Sequence, residues 1–490
     1  MSRPIRSIVS CIASLSIAFG QAQSWQPLYN QPKFNAGTAL LLTDGRIMCN
    51  DSDHGHWWAL TPDTWGSYIN GTWRQLASLP DGYTPLYYAS AVLADGRVVI
   101  IGGEFNAAGV MVESNHGAIY DPRTDTWASL PPPTGWTKIG DAQSVVLPNG
   151  HFLLANPFDN KHLSGSPTYG SMAELDPSTL TWVVIAPAGK TDSNDEEGWT
   201  LLADGTILTI DTRNPSHAER YVPWLRDWVS AGSTPQPLTL HDEIGPAVLR
   251  PDGTVFATGA TSYTAIYHPL PSSASGPGYW TAGPTFPDQL FVADGPASLL
   301  PSGDVLVTAS LKKTGTRFFE FDGSYLIPVP GIPGESSRAS YLGSMLLLPT
   351  GQVLFTSHSR DIEIYTDSGS AQPDWLPVIT DGPLIVHPGS THVVSGTQFN
   401  GLSQGSSYGD DVQTATNYPL VRATNLTTGH ISYWRTHDHS TMAVATGGAV
   451  VKTHFDVPDT ADSGYTYLEV VANGLASHPH LIVVLPTSLE

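Results

Sequence analysis

The sequence predicts an all-β protein: a ring of seven four-stranded β-propeller blades followed by a β-sandwich. Three observations predict it. One hairpin motif recurs seven times at nearly constant spacing. The composition suits many short strands and tight turns, with 47 Gly, 40 Pro, 14 Trp and 19 Tyr among 490 residues and only 13% charged residues. Beyond about residue 370 the motif stops, and short alternating strands run to the C-terminus.

In chain order, residues 1–23 place Arg3 and Arg6 before an apolar run from Ile8 to Phe19, then small and polar residues. The run is too short to span a bilayer comfortably, so it predicts a secretory signal removed near Ala22 to Ser24 and a secreted or periplasmic product. No other candidate transmembrane segment follows.

Residues 24–370 hold the repeats: GTALLLTDGRIM, YASAVLADGRVVIIGG, AQSVVLPNGHFLLA, GWTLLADGTILTI, GPAVLRPDGTVFATG, GPASLLPSGDVLVTA and GSMLLLPTGQVLFTS. Their turn glycines are Gly45, Gly96, Gly150, Gly205, Gly253, Gly303 and Gly351, with spacings of 51, 54, 55, 48, 50 and 48. Asp-Gly and Asn-Gly predict two-residue hairpin loops, where glycine supplies a positive φ. Between the hairpins lie outer-strand pieces such as GAIYDPRTDTWASLPPP, whose Y-D-P-x-T-x-T-W is a kelch-type signature.

Residues 371–490, from DGPLIVHPGSTHVVSGTQF to HLIVVLP, fit an immunoglobulin-like sandwich. Cys11 falls in the leader, so Cys49 is alone in the mature chain; no intrachain disulfide is possible, and its apolar strand predicts a small buried side chain. A net charge of −22 excludes nucleic acid and disfavours other polyanions. A monomer acting on a saccharide or other small polar molecule, or binding divalent cations, fits better.

In a propeller the innermost strands line the channel, and residues eight to ten before each turn glycine mark one of its mouths. Those residues are Asn35, Tyr87 with Tyr88, Asp141, Glu197, Glu243, Asp294 and Tyr341. Four successive blades thus offer a carboxylate. Trp199 and His241 flank them. Converging carboxylates raise one another's pKa, and suit a divalent cation held by oxygens or general acid/base chemistry. THDHST, Thr436 to Thr441, places His437 and His439 on one side of a strand with Asp438 opposed; a metal site, an acid/base pair and a structural knot are all open. Asp410 and Asp411 either cap a turn or bind Ca²⁺. Asn425-Leu-Thr is a formal glycosylation sequon. Trp57, Trp58 and the Trp65–Tyr68 stretch either stack on sugars or pack between blades.

With these motifs in place, the chain resembles the galactose oxidase and glyoxal oxidase type of kelch proteins over nearly its whole mature length. In that family a seven-bladed propeller precedes an immunoglobulin-like domain whose hairpin pierces the ring and delivers a copper-ligand histidine. The resemblance puts that histidine at His437, within HISYWRTHDHSTMAVA, and the family's second tyrosine at Tyr341. The histidine that should follow is Leu342, the cross-linked tyrosine is Asp141, and its cysteine partner is Tyr87. Copper radical oxidation is therefore disfavoured, because the organic radical needs that cross-link. The expectation is a carbohydrate-active enzyme in which Asp141, Glu197, Glu243 and Asp294 supply acid and base. Tyr341 and His437 would orient substrate or move protons, and Tyr87, Tyr88, Trp199, His241 and His439 would contact or support it. A non-catalytic sugar- or cation-binding protein, and an oxidase with altered copper ligation, are the alternatives.

Overall fold

Each repeat folds as an antiparallel meander because its apolar, β-branched runs alternate with tight turns. The computed structural model describes residues 23–80, 82–158, 170–270, 276–311, 314–409 and 414–486; the leader and Asp410 and Asp411 lie outside them. The described residues are all-β apart from four single-turn 3₁₀ helices. No helix among them is long and apolar enough to cross a membrane.

Seven meanders of four strands follow one another through the described residues, beginning with Ala36–Leu41, Ile47–Asp51, Trp57–Thr61 and Thr72–Gln75. Their first strands are buried and stand side by side. Ala36–Leu41 lies between Ala89–Val92 and Ser344–Leu347, and Ala297–Leu299 between Ile244–Leu249 and Ser344–Leu347. The last meander takes its outer strand from the other end of the chain: Ser24–Pro27 pairs with Glu363–Thr366.

The hairpin loops differ from the sequence expectation. All seven contain three residues, not two. In the first, Leu42 N–H donates to the Arg46 carbonyl and Gly45 N–H to the Leu42 carbonyl, and the other six repeat this pattern. This is a type I turn followed by a left-handed glycine bulge. Only the glycine needs positive φ, +78° at Gly45. The preceding positions are helical, which is why Pro148, Pro251, Pro301 and Pro349 fit the first turn position. The Asp44 carboxylate accepts the Arg46 N–H and locks the turn, at 3.1 Å.

The Y…W signature becomes cross-strand aromatic pairs. Tyr120 faces Trp127 and Tyr267 faces Trp280, with ring centroids 5.1 and 5.0 Å apart. The indole N–H then reaches out of its own sheet: Trp127 donates to the Ala77 carbonyl, Trp182 to Pro131 and Trp280 to Ala231, at 3.0, 2.8 and 3.0 Å. Each such tryptophan ties its outer edge to the segment ending the preceding meander. Trp57 is fully buried, Trp58 stacks on Phe34 at 5.1 Å, and Tyr68 is fully buried, so packing accounts for them. Cys49 is buried, and burial pushes its thiol well above the ordinary range.

The C-terminal residues form two further sheets, Val378–Asp381/Thr391–Thr397/Val451–Asp456/Thr436–His437 and Ile385–Val386/His480–Val484/Gly464–Ala472/Leu420–Asn425/Ile431–Trp434. They share a core that includes Val394, Val421, Trp434, Phe455, Leu468 and Ile482. Asn425 is buried; its amide donates to the Asp462 and Ser463 carbonyls and accepts from Thr427 and Thr428 N–H, so the sequon asparagine serves a turn.

One excursion from this C-terminal unit positions the site. Residues 401–409 and 414–416 run along the first strands of the meanders. Ser406–Ser407 adds a fifth strand beside Ala297–Leu299, Ser406 Oγ accepts the Leu347 N–H at 3.0 Å, and Gln404 Oε1 accepts the Leu201 N–H at 2.8 Å. Its approach is so close that a Cβ on Gly409 would lie 2.6 Å from Asp294 Cα, and one on Gly198 2.4 Å from the Gly409 carbonyl oxygen. Only glycine fits at both.

Candidate functional site

The segments leading into the first strands carry a run of left-handed residues. Tyr87 (φ +52°), Glu196 (+56°), His241 (+60°) and Ala293 (+49°) all take a conformation that costs an ordinary residue roughly 1–3 kcal/mol. Together they ring one cavity of ≈ 470 Å³ at the end opposite the glycine turns, with Glu104, Asp141, Glu243, Asp294 and Tyr341 also in its wall.

The carboxylates are close. One oxygen each from Glu196, Glu243 and Asp294 lies within 4.8 Å of the others. Glu104 sits beside them on a loop held by its N–H to the Tyr87 carbonyl, at 3.0 Å. Burial, then the charges of Glu113 and Glu243, push its carboxyl up to about 7. The cavity thus holds a carboxyl that is half protonated at neutral pH next to a group of acids. Aromatic faces complete the wall: Tyr87, stacked on His358 at 6.0 Å, with Phe105, Phe291, Tyr341 and Tyr408. His358 is kept neutral, its pKa lowered to about 4 by burial and by Arg338. Tyr408 arrives on the 401–416 excursion, and its hydroxyl donates to the Tyr341 carbonyl at 2.6 Å.

Of the residues singled out from sequence, Asp141, Glu243, Asp294, Tyr341, Tyr87 and His241 come together here. Five do not. Glu197 turns away because its left-handed neighbour Glu196 takes the cavity position. It is fully buried against Lys190 Nζ at 2.8 Å, in a shell completed by Asp192, Asp211 and Glu219 at 2.7, 3.3 and 2.8 Å. Burial opposes the Lys190 charge, but these four carboxylates outweigh it and hold the ammonium well above its usual range. Tyr88 is buried edge-on to Trp57, and Trp199 is buried against Trp228, centroids 6.1 Å apart. Neither can meet a ligand in this cavity.

His437 and His439 lie at the other end, beside the glycine turns: Thr436 N–H donates to the Thr43 carbonyl and His439 N–H to Ala94. His439 is buried on Thr453 Oγ1 at 2.8 Å, and its pKa is lowered to about 3, by burial first. The C-terminal residues reach the cavity at Tyr408, which takes the place expected for His437. Sequence reasoning passed over Glu104, Glu196 and Tyr408. Glu196 was legible as the neighbour of an in-phase acid, and the glycine-rich, polar stretch around Tyr408 was the mark of a chain that must pass close to other backbones.

The donor set does not fit a copper radical centre. Cys49 belongs to another meander, on Ile47–Asp51, and the cavity offers carboxylates, tyrosines and His241. Hard oxygen donors suit Mg²⁺, Ca²⁺ or Mn²⁺ better than copper.

Glu104 also yields a pH prediction. A carboxyl whose folded pKa lies above its unfolded value of about 4.3 keeps its proton while the unfolded chain loses it, so its contribution to stability is lost as pH rises from about 4 to about 7. Glu104→Gln should therefore match the wild type in thermal stability at about pH 4 and exceed it increasingly towards about pH 7. Parallel melting curves across that interval would refute the assignment.

Residues 85–134 match the family model of the kelch motif. The kelch-like protein terF of Aspergillus terreus is 33% identical over 92 residues, covering 17% of this chain and 18% of that protein, so less than a fifth of the relative is matched. Among solved structures, a fungal alcohol oxidase of the AA5 family, in complex with copper, aligns over 95% of this chain and 100% of its own with a TM-score of 0.52 at 13% identity. The chain is an all-β protein that carries a kelch motif and is similar in fold to a fungal alcohol oxidase of the AA5 family.

Proposed function

We propose that the protein is an exported, monomeric, carbohydrate-active enzyme that cleaves glycosidic bonds by acid/base catalysis in this cavity. On this reading, residues 24–370 are a seven-bladed propeller closed by Ser24–Pro27, and residues 371–490 an immunoglobulin-like domain that threads Tyr408 through the ring. The observation that carries the chemistry is the coexistence of Glu104, with a carboxyl near 7, and the Glu196, Glu243 and Asp294 group in one cavity. Glycoside cleavage needs one carboxyl that holds its proton beside another that can act as base, and the raised carboxyl of Glu104 suits the first role. Glu104 is the acid, Glu243 or Asp294 the base or nucleophile. The ring faces of Tyr87, Phe105 and Tyr341 suit stacking on a pyranose, and the net charge of −22 favours neutral glycans over acidic ones.

A second reading rests on the same three oxygens within 4.8 Å, which could hold a hard divalent cation and bind sugar without turnover. Reducing-sugar release across a panel of neutral polysaccharides, with and without chelator, separates the two. Release that persists in chelator supports the hydrolase; binding without release, lost in chelator, supports the cation-dependent binder.

A further inference from the structure

THDHST takes no part in the cavity, yet its side chains form a compact cluster of their own. Thr436–His437 pairs with Val451–Asp456 so that His437 faces His454 directly across the ladder, with their rings stacked 5.5 Å apart. Asp438 follows in a left-handed conformation, φ +51°, which brings its carboxylate back to 2.8 Å from His437 Nδ1. One ligand atom each from His437, Asp438 and His454 lies within 4.8 Å of the others.

Two features of this cluster call for a cation. Nδ1 of His454 is buried and, among the described residues, has no hydrogen-bond partner, and such a nitrogen is costly in a folded protein unless something binds it. His437 has a carboxylate at each nitrogen: Asp438 at Nδ1 and Asp456 at Nε2, the latter 3.2 Å away. With the Nε2 proton donated to Asp456, the Nδ1 lone pair faces an anion at hydrogen-bond distance, which repels unless a proton lies between them or a metal ion binds both. Asp456 is itself fixed by Arg435 at 2.9 Å and by the Thr391 hydroxyl at 2.7 Å. A carboxylate on the far nitrogen of a histidine is the usual outer support of an imidazole that binds metal, fixing its tautomer and ring orientation.

We infer that His437, His454 and Asp438 form a binding site for a divalent transition-metal ion of the Zn²⁺ type, with Asp456 as the outer-shell carboxylate of His437. Two imidazoles and one carboxylate leave a fourth position for water and suit Zn²⁺, Co²⁺ or Ni²⁺, whereas Ca²⁺ and Mg²⁺ prefer all-oxygen shells. Arg435 also donates to the Asp95 carbonyl at 2.8 Å, and Thr436 and His439 bond the turns of the first two meanders. The ion therefore sits where the C-terminal sheet meets those turns and fastens that junction, far from the cavity.

Metal-stripped full-length protein titrated with Co²⁺ tests this. The expected result is one equivalent bound near neutral pH with a visible absorption band of a low-coordinate Co²⁺ site. Zn²⁺ should displace it and excess Mg²⁺ or Ca²⁺ should not. His454→Ala and the exposed, fold-neutral Asp438→Asn should lose the band, and Asp456→Asn should weaken binding by about 10–100-fold. Glu243→Gln should leave it intact, which keeps the result independent of any ion in the cavity. Absence of stoichiometric binding in the wild type, or unchanged binding in both His454→Ala and Asp438→Asn, would overturn the inference and leave His437 held by Asp438 and Asp456 alone.

Discussion

Lys190→Met is expected to lower the stability of the repeat-containing part by about 3–5 kcal/mol, the range for orphaning a buried ionic partner. Lys190 Nζ is the one cation within 4 Å of Asp192, Glu197, Asp211 and Glu219 among the described contacts, apart from His217, which bonds Asp211 at 2.6 Å. Methionine fills similar volume, so the loss reports charge rather than a hole. Burial raises the Glu197 and Glu219 carboxyls, and without the Lys190 charge they would take up protons, so the deficit should grow with pH: smaller at about pH 5, larger at about pH 7. Trp228 gives a local readout, since its ring lies 5.3 Å from Lys190 Nζ. Denaturant midpoints followed by tryptophan fluorescence at the two pH values check this, and adding Glu197→Gln to Lys190→Met should recover part of the loss. An unchanged midpoint would show that water or protonation already neutralises the group.

The second large effect belongs to the cavity. On a polysaccharide that the wild type degrades, Glu243→Gln and Glu104→Gln should each reduce kcat by about 10²–10⁴-fold, the usual contribution of a positioned acid or base. Their pH profiles should differ. The wild type should lose activity as pH rises through about 7, where Glu104 gives up its proton. That alkaline limb should vanish in Glu104→Gln and persist in Glu243→Gln. Tyr408→Phe removes only a hydroxyl bonded to the Tyr341 carbonyl and gives the matched control for altered positioning. Full activity in both carboxamide variants would remove the acidic group from catalysis and leave it a binding role.

The fold was legible because its signals are periodic. Seven turn glycines, the Tyr…Trp pairs and the shift in pattern near residue 370 each repeat or persist over many residues, and chance does not imitate them. The site was legible only to within a residue. Position in the repeat identified the segment approaching the first strand, but a single left-handed residue reverses which side chain faces the cavity, and that decided between Glu196 and Glu197. Glu104 was hidden for another reason. It lies beyond the strand Val98–Ile101, on a loop that returns to Tyr87, outside the phase in which acids were sought. His437 was misplaced because the sequence alone does not tell which segment of the C-terminal residues reaches the cavity; Gly409 and Gly198, with no room for a side chain, were the better guide.

The pairing of Ser24–Pro27 with Glu363–Thr366 has a consequence for the order in which the protein assembles. Ser24–Pro27 finds its partner only after some 340 further residues have been made, and contacts so distant in sequence form slowly. Until the last meander has been made, Ser24–Pro27 has no strand to pair with and presents an open edge, the kind of surface on which chains pair wrongly with one another. A nascent molecule is therefore vulnerable until Glu363–Thr366 has emerged, and a delay in closing the last meander until that strand is available works in its favour.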